Sequence, residues 1–459
     1  MTKIDVLVAE IGSTTTVVNA FSGIHEDGIT PIFVAQGQAP TSVDEGDVGI
    51  GLNQAIETIE AQIGRQNLKE SEVFATSSAA GGLKMTVHGL VYDMTVKAAR
   101  EAALGAGANI HLVTAGNLTR FDLKKVNKVK PNIILIAGGV DYGEKNTALN
   151  NAYEIAELRL NIPVIYAGNC VNHDAVKEIF EECGQSNYLH ITENVYPKID
   201  TLNVEPTRQI IQDVFEQHII HAPGMNKVKE TVDQNIIPTP GSVMVAAKLL
   251  EEEIGDLIVF DVGGATTDLH SVTTGSEEIN KILVNPEPKA KRTVEGDLGV
   301  YINRHNIIDM IGKDAITRDL EITEEQLESL LKNFKPIPET ELEKRMVERL
   351  TKEALSIALN RHSGVFRSLY GSSGRMKVAE GKDLTNVDYV IGTGGALTRL
   401  PNRIGMLNTL LRIQDDTKLI PSKNTKILID QDYIMASLGV LSLKYPEKAL
   451  ELLKNSLGL

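Results

Sequence analysis

Two acidic residues, Asp261 and Asp268, bracket a short turn in the second half of the chain. The apolar run 257–260 before them has the length and β-branched content of a buried strand. The turn itself contains residues that suit phosphate, namely Gly263, Gly264, Thr266 and Thr267. Glycines let the backbone approach a ligand closely, and threonines add hydroxyls beside the exposed N–H groups.

A hairpin would bring both carboxylates of this stretch to one place. If 267–272 is the return strand, Asp261 and Asp268 can face the same pocket. Two carboxylates beside a phosphate suggest a magnesium ion, because Mg²⁺ binds carboxylate and phosphate oxygens together. The stretch therefore predicts a phosphate and magnesium site, with a plain β-hairpin as the alternative.

A similar stretch lies near the start of the chain. The strand-like run 4–9 ends at Glu10, and a β-rich run, 16–21, follows the turn. The turn between them contains Gly12, Ser13, Thr14 and Thr15. EIGSTTT and DVGGATT form a coarse internal repeat, which indicates a duplicated fold. Glu10 stands where the second copy has Asp261, so a role near a phosphate or metal is favoured over a solvated strand end.

A third glycine-rich turn follows the apolar strand predicted at 387–391. Its glycines are Gly392, Gly394 and Gly395, and a helix is expected to begin there. A strand, a glycine turn and a helix start together offer backbone N–H groups to a nucleotide. Two further helices, 241–253 and 431–441, carry small residues that permit close helix packing, as a hinge between lobes requires.

Composition limits the classes of function. The chain has 459 residues, a net charge of −15 and a pI of about 5.2, which disfavours binding to nucleic acid or an anionic membrane. No apolar run approaches the ~20 residues that span a bilayer. The first residues read as a strand rather than a signal peptide, so we expect a cytoplasmic protein. Cys170 and Cys183 flank a predicted helix that would hold them roughly 20 Å apart, which excludes a disulfide within one chain.

Regular strand–helix alternation between the outer parts predicts a parallel sheet covered by helices. The strands are expected at 110–114, 133–137 and 164–167, and glycine turns at their carboxyl ends either bind a ligand or simply turn the chain. The predicted domains are a first lobe at 1–85, an inserted α/β unit with a Pro-punctuated return linker at 86–237, and a second lobe at 238–459.

Two loops leave alternatives open. The small-residue loop 77–82 is either ligand-facing or a connector. The basic residues Lys289, Lys291 and Arg292 could meet a phosphate or an acidic partner, although we expect an ordinary solvated loop there.

The order of these motifs resembles the ATPase superfamily of actin, Hsp70 and the acetate and sugar kinases. The resemblance rests on the hairpins 10–16 and 261–268, the late GTGGALTR at 392–399, and the two small-residue helices. Within that superfamily the whole chain is similar to accessory proteins of the MutL/GlmL type, which are associated with adenosylcobalamin-dependent glutamate mutase and unrelated to the mismatch-repair protein of the same name. The implied fold is α/β, with two ribonuclease-H-like (actin/Hsp70-type) ATPase lobes and an inserted parallel α/β unit.

The resemblance also implies roles for the motif residues. Gly12 to Thr15 and Gly263 to Thr267 would hold the phosphates of Mg-ATP from opposite sides, and Gly392, Gly394 and Gly395 would lie against the adenosine. Asp261 would hold Mg²⁺ through water, and Asp268 would position the attacking water or the metal. Glu10, the other candidate catalytic residue, replaces the Asp that is usual in the superfamily, which leaves open whether ATP is hydrolysed or only bound.

Three functions follow from this reading. The first is an ATP-dependent accessory or reactivating chaperone that releases damaged cobalamin from an adenosylcobalamin-dependent mutase, expected to be glutamate mutase. The second is a small-molecule kinase, which needs a base for the accepting hydroxyl, and the sequence assigns none. The third is a nucleotide-gated binding module without turnover.

Overall fold

The computed structural model describes residues 3–26, 28–42, 47–78, 83–106, 108–219, 225–233, 236–371, 374–413 and 415–459. The strands are β1 Val6–Ile11, β2 Thr15–Ser22, β3 Ile32–Pro40, β4 Glu72–Ser77, β5 Leu83–Gly89, β6 Ala108–Ala115, β7 Ile133–Ile136, β8 Val164–Tyr166, β9 Leu189–Ile191, β10 Ile237–Pro238, β11 Leu257–Val262, β12 Thr267–Val272, β13 Ala290–Glu295, β14 Val365–Gly371, β15 Gly374–Glu380, β16 Tyr389–Thr393 and β17 Lys426–Ile429.

The helices are α1 Gly49–Ile63, α2 Lys97–Gly105, α3 Arg120–Val129, α4 Asn146–Glu157, α5 His173–Glu182, α6 Glu205–Ile219, α7 Met225–Thr231, α8 Thr239–Ile254, α9 Glu277–Asn280, α10 Arg304–Ile311, α11 Lys313–Leu320, α12 Glu324–Lys332, α13 Glu341–His362, α14 Gly395–Arg399, α15 Arg403–Leu411, α16 Met435–Ser442 and α17 Pro446–Leu457. Within the described ranges, none of them is both long enough and apolar enough to cross a membrane.

Two of the sheets repeat one topology. Their strand orders are β3-β2-β1-β4-β10 and β13-β12-β11-β16-β17. In each sheet the first two neighbouring pairs are antiparallel and the last two are parallel. The duplication inferred from the two Gly/Thr turns is therefore present in the backbone. It confirms the predicted α/β class with two ribonuclease-H-like, actin-type lobes.

A third sheet, with the order β6-β5-β7-β8-β9, is entirely parallel. It is formed between β4 and β10 of the first sheet, so the chain leaves the first lobe, builds this unit and returns. Helices α3, α4 and α5 connect its successive strands, as the alternation predicted. The inserted parallel α/β unit is thereby confirmed. The cysteines at the two ends of its last helix, Cys170 and Cys183, are free thiols.

The two small-residue helices, α8 and α16, pack in direct contact. A Cβ atom on Gly439 would lie 1.9 Å from the carbonyl oxygen of Ser242, and the Ser242 hydroxyl donates to the carbonyl of Ala436 at 2.5 Å. Only a residue without a side chain permits this approach. The same core holds Val8 of the first sheet and Val259 of the second, so the helices join the two lobes.

Two expectations about the connecting segments were wrong. The stretch after Tyr196, read as a Pro-punctuated return linker, contains α6 and α7; Pro206 sits in the first turn of α6, where proline is tolerated. The basic residues read as a solvated loop lie in or beside β13, where Lys291 is 9% and Arg292 1% exposed. The burial of the basic residues was not predicted because it depends on contacts with distant parts of the chain.

Several elements have no counterpart in the sequence reading. Strands β3 and β5, the hairpin β14–β15 and helix α17 were not predicted. Strand β3 contains Gly37, Gln36 and Gln38, which obscure its apolar alternation, and a Cβ on Gly37 would lie 1.8 Å from the carbonyl of Ala55 in α1. Of the loop 77–82, residues 79–82 lie outside the described residues.

Candidate functional site: a cleft between two repeated turns

The two Gly/Thr turns adopt the same local geometry. In the first, the N–H of Gly12 donates to the carbonyl of Thr15 at 3.0 Å, and in the second the N–H of Gly263 donates to the carbonyl of Thr266 at 3.0 Å. A Cβ atom on Gly12 would lie 2.6 Å from the Thr15 oxygen, so this turn requires glycine.

The turns meet across the cleft between the lobes. A Cβ on Gly264 would lie 2.8 Å from the hydroxyl oxygen of Thr14, so the backbone of one turn contacts the side chain of the other. Both turns line a cavity of 1180 Å³. This volume lies slightly above the roughly 300–1,000 Å³ of ordinary ligand pockets.

Most of the predicted site residues line this cavity. They are Glu10, Gly12, Ser13, Thr14, Thr15, Asp261, Gly263, Gly264, Thr266, Asp268 and Gly395. The sequence motifs, which are separated by hundreds of residues, therefore converge on one place.

Three predicted residues do not line the cavity. The buried hydroxyl of Thr267 donates to the carbonyl of Leu298 at 2.7 Å. Gly392 faces apolar side chains of the second lobe, those of Leu397, Leu407 and Ile429. Gly394 has a φ of +82°, and a Cβ there would lie 2.4 Å from an oxygen of Asp261, so the third glycine turn packs against the acidic strand end.

The acidic residues of the two lobes are equivalent in position but not in surroundings. In the second hairpin Asp261 is paired in register with Asp268, whereas in the first hairpin Glu10 is paired with Val17. The second hairpin thus contributes two carboxylates and the first hairpin one.

Both strand-end acids are held in an unfavourable environment. Burial, followed by the nearby charge of Asp261, raises the pKa of Glu10 to about 8. Burial, followed by the charge of Asp268, raises the pKa of Asp261 to about 7. One carboxyl oxygen of Glu10 accepts from the Tyr433 hydroxyl at 3.3 Å, and the other, Oε2, is buried without a hydrogen-bond partner.

This environment fits a hydrated divalent cation. A cation would neutralise the repelling carboxylates and would satisfy the unpaired oxygen of Glu10. The described residues contain no group of three His, Cys, Asp or Glu side chains that could enclose a metal. A cation here would therefore keep water and phosphate oxygens in its coordination shell, as Mg²⁺ commonly does.

Two residues around the cleft were missed by the sequence analysis, Asp430 and Tyr433, and a third, Arg292, was named there but expected in a solvated loop. Asp430 is buried after β17 and accepts from the backbone N–H groups of Ile434 and Met435 at 3.0 and 2.9 Å, so it caps the approach to α16. Its charge also contributes to the raised pKa of Glu10. An acid that ends a short apolar run, here 427–429, is the signal that could have identified it.

A polar contact joins the lobes beside the cavity. Arg399, at the end of α14 in the second lobe, donates to the side chain of Gln36 on β3 of the first lobe. Gln36 in turn donates to the carbonyl of Asp432 at 3.0 Å. Through Gln36, the first lobe therefore contacts both α14, which follows the third glycine turn, and the segment before α16.

Comparisons with known proteins agree with the motifs. Residues 6–457 match the family model described as MutL protein. Protein MutL of Clostridium tetanomorphum is 38% identical over 464 residues, covering 98% of each chain. Among solved structures, the nucleotide-free diol dehydratase-reactivating factor is 10% identical with a TM-score of 0.39, over 96% of this chain and 100% of that one. Nucleotide-free acetone carboxylase is 12% identical with a TM-score of 0.38, over 96% of this chain and 70% of that one. On the family model and the curated relative, the chain belongs to the MutL protein family.

Proposed function

We propose that this chain is an ATP-dependent accessory protein that reactivates an adenosylcobalamin-dependent mutase, with glutamate mutase as the partner. Family membership supports an accessory role of this type. The observation that carries the ATP part is the contact between Thr14 and Gly264, because it sets two phosphate-type turns against each other in one cavity.

The turns would divide the nucleotide between them. In this proposal the phosphates lie between Gly12 to Thr15 and Gly263 to Thr267. Thr267 contributes its backbone, because its hydroxyl is already used. Gly395, which lines the cavity, would lie on the adenosine side, whereas Gly394 packs against Asp261 and Gly392 against apolar side chains.

The carboxylates would manage charge around the transferred phosphoryl group. Asp261 would hold Mg²⁺ through water, and the ion would supply neutralisation of the phosphate charge. Asp268 presents Oδ2 toward the turn, where the Thr266 hydroxyl donates to it at 3.3 Å, so it is placed to orient a water molecule. Glu10 would approach the same site from the first lobe.

Closure of the lobes would carry the signal to the mutase. Nucleotide between the turns favours their approach, and α8 and α16 are the packed pair about which the lobes would close. The inserted unit, with the boundaries 86–237 expected from the sequence, would face the partner. ATP binding and turnover would thereby switch the accessory protein between two states. This switch would release damaged cobalamin from the mutase.

A reactivation assay tests this proposal. Inactivated glutamate mutase is incubated with this protein, Mg-ATP and fresh adenosylcobalamin, and mutase activity is followed. Recovery that exceeds the ATP-free control supports the proposal, and Asp261→Ala should remove the excess. Equal recovery with and without ATP would exclude an ATP-dependent reactivation of this mutase.

One observation favours each of the other candidates. The cavity extends to Arg100 and His111 of the inserted unit, which leaves room for a second substrate of a kinase. The buried Glu10 with its unpaired oxygen favours a nucleotide-gated module without turnover. Phosphate release measured with and without a panel of sugars and short acids separates them: a phosphorylated acceptor indicates the kinase, and tight binding without release indicates the module.

A further inference from the structure

Strand β13 places an arginine inside the protein. Arg292 is paired in register with His270 of β12 and is 1% exposed. A guanidinium carries five N–H donors and remains charged at any physiological pH, so a buried one must be matched by acceptors. The acceptors that surround Arg292 therefore indicate its role.

One side of the guanidinium faces the cleft. Nε and Nη2 of Arg292 donate to Oδ1 of Asp268 at 3.1 and 2.7 Å. Because Oδ1 receives both bonds, Oδ2 is left toward the hydroxyl of Thr266, which lines the cavity. Arg292 thus decides which oxygen of Asp268 is presented to the phosphate turn.

The other side of the same guanidinium reaches the inserted unit. Nη1 donates to the carbonyls of Leu104 and Ala108 at 3.0 and 3.4 Å. Leu104 belongs to the last turn of α2, and Ala108 begins β6. A positive charge at a helix C-terminus is also favoured by the helix dipole.

We propose that Arg292 is a positioning residue that orients Asp268 and couples the state of the cleft to the α2–β6 junction of the inserted unit. The fork of the guanidinium is planar, and its hydrogen bonds point in fixed directions. A displacement of Asp268 toward a ligand therefore lengthens or breaks hydrogen bonds of Arg292 on one side unless Leu104 and Ala108 follow. This inference rests on the proposed nucleotide site, and it adds the route by which that site reaches the unit assigned to the partner.

The chain offers a matched control at the same interface. Arg208 of α6 is 4% exposed and donates through Nη2 to the carbonyls of Ala290 on β13 and Glu101 on α2, at 2.6 and 3.5 Å. It joins the same helix and strand without touching Asp268. Loss of Arg208 removes a buried arginine from the interface, whereas loss of Arg292 also removes the connection to the cleft.

Hydrogen–deuterium exchange of the full chain tests the coupling. We expect Mg-ATPγS to slow exchange in residues 97–106 and 108–115 of the wild type and of Arg208→Met. In Arg292→Lys, bound nucleotide should leave the exchange rates of these segments unchanged. A lysine side chain cannot donate hydrogen bonds both to Asp268 and to the carbonyls at the α2–β6 junction. The coupling would be overturned if nucleotide slowed exchange equally in Arg292→Lys and in the wild type. It would also be overturned if bound nucleotide did not slow exchange in the wild type.

A second variant makes the test independent of nucleotide. Asp268→Asn removes the charge that holds Arg292, so exchange at the α2–β6 junction should rise by about tenfold in the free protein. Identical exchange in Asp268→Asn and the wild type contradicts the coupling. Titration with a fluorescent ATP analogue is done in parallel: failure to bind would overturn the proposed nucleotide function, whereas binding without a response overturns only the role of Arg292.

Discussion

Glu10 and Asp261 occupy equivalent places in two copies of one sheet, and only Asp261 has a carboxylate opposite it. The residue paired with Asp261 is Asp268, whereas the residue paired with Glu10 is Val17. A duplicated backbone therefore carries an unequal pair of chemical sites. In the proposed site the second hairpin would hold the metal and orient water, and the first hairpin contributes a single buried acid.

This inequality predicts different results for the two acids. Asp261→Ala should abolish Mg²⁺-dependent ATP turnover, because it removes the proposed metal-holding carboxylate. Glu10→Asp should preserve or raise turnover, because it restores the acid that is usual in the superfamily. Phosphate release under saturating Mg-ATP measures both, with Asp174→Asn, whose side chain is 99% exposed, as the control. Normal hydrolysis by Asp261→Ala would show that the site is assigned to the wrong residue.

The first turn should not tolerate a methyl group at Gly12. A Cβ there would lie 2.6 Å from the Thr15 carbonyl, so the turn must open. We expect Gly12→Ala to weaken nucleotide binding by about tenfold or more, which corresponds to ~1.4 kcal/mol. Isothermal titration with ATP and Mg²⁺ measures the affinity. Asp174→Asn, at an exposed position outside the cavity, is the control; equal affinities in the two variants would contradict a role for the turn geometry.

Close packing of α8 and α16 predicts a large effect at Gly439. A methyl group at this position meets the backbone carbonyl of Ser242 at 1.9 Å and forces the helices apart. Overpacking of this kind costs typically about 1–3 kcal/mol of unfolding free energy. Urea unfolding of Gly439→Ala should show that loss, together with altered proteolysis between the lobes. Unchanged stability would mean that the helices can separate without cost.

Acid should destabilise the inserted unit through His88. This residue of β5 is buried between the hydroxyls of Thr114 and Thr86, at 2.8 and 3.0 Å, and burial lowers its pKa to about 4. In the unfolded chain this histidine binds a proton near its ordinary pKa of 6.5. The contribution of neutral His88 to the unfolding free energy is therefore complete above pH 6.5 and is lost as the pH falls from 6.5 to 4. Between pH 7 and pH 5 the loss is about 2 kcal/mol.

The measurement is urea unfolding of the wild type and of His88→Gln at several pH values. Glutamine keeps polar contacts with the two threonines but does not titrate in this range. The variant should therefore show a shallower fall of unfolding free energy below pH 6.5. Parallel curves for the two proteins would show that His88 does not carry this dependence.

Local patterns were sufficient to predict much of the fold. A strand that ends at an acid, a Gly/Thr turn and a return strand lie within about fifteen residues, so the hairpins containing Glu10 and Asp261 could be recognised without any distant contact. The alternation of strands and helices across 110–182 likewise predicted the parallel sheet of the inserted unit, because each element is identified by its own periodicity.

Only the tertiary structure decided which side chains meet. Arg292 looked like part of a solvated loop, and its burial follows from the pairing of β13 with β12 and from the arrival of α2 from another unit. Gly394 looked like an adenosine contact, and the structure sets it against Asp261. The amino-acid types at the two turns determined what chemistry the cleft could perform. Long-range packing decided how its acids are oriented and what they are connected to, because those contacts join segments that are far apart in the chain.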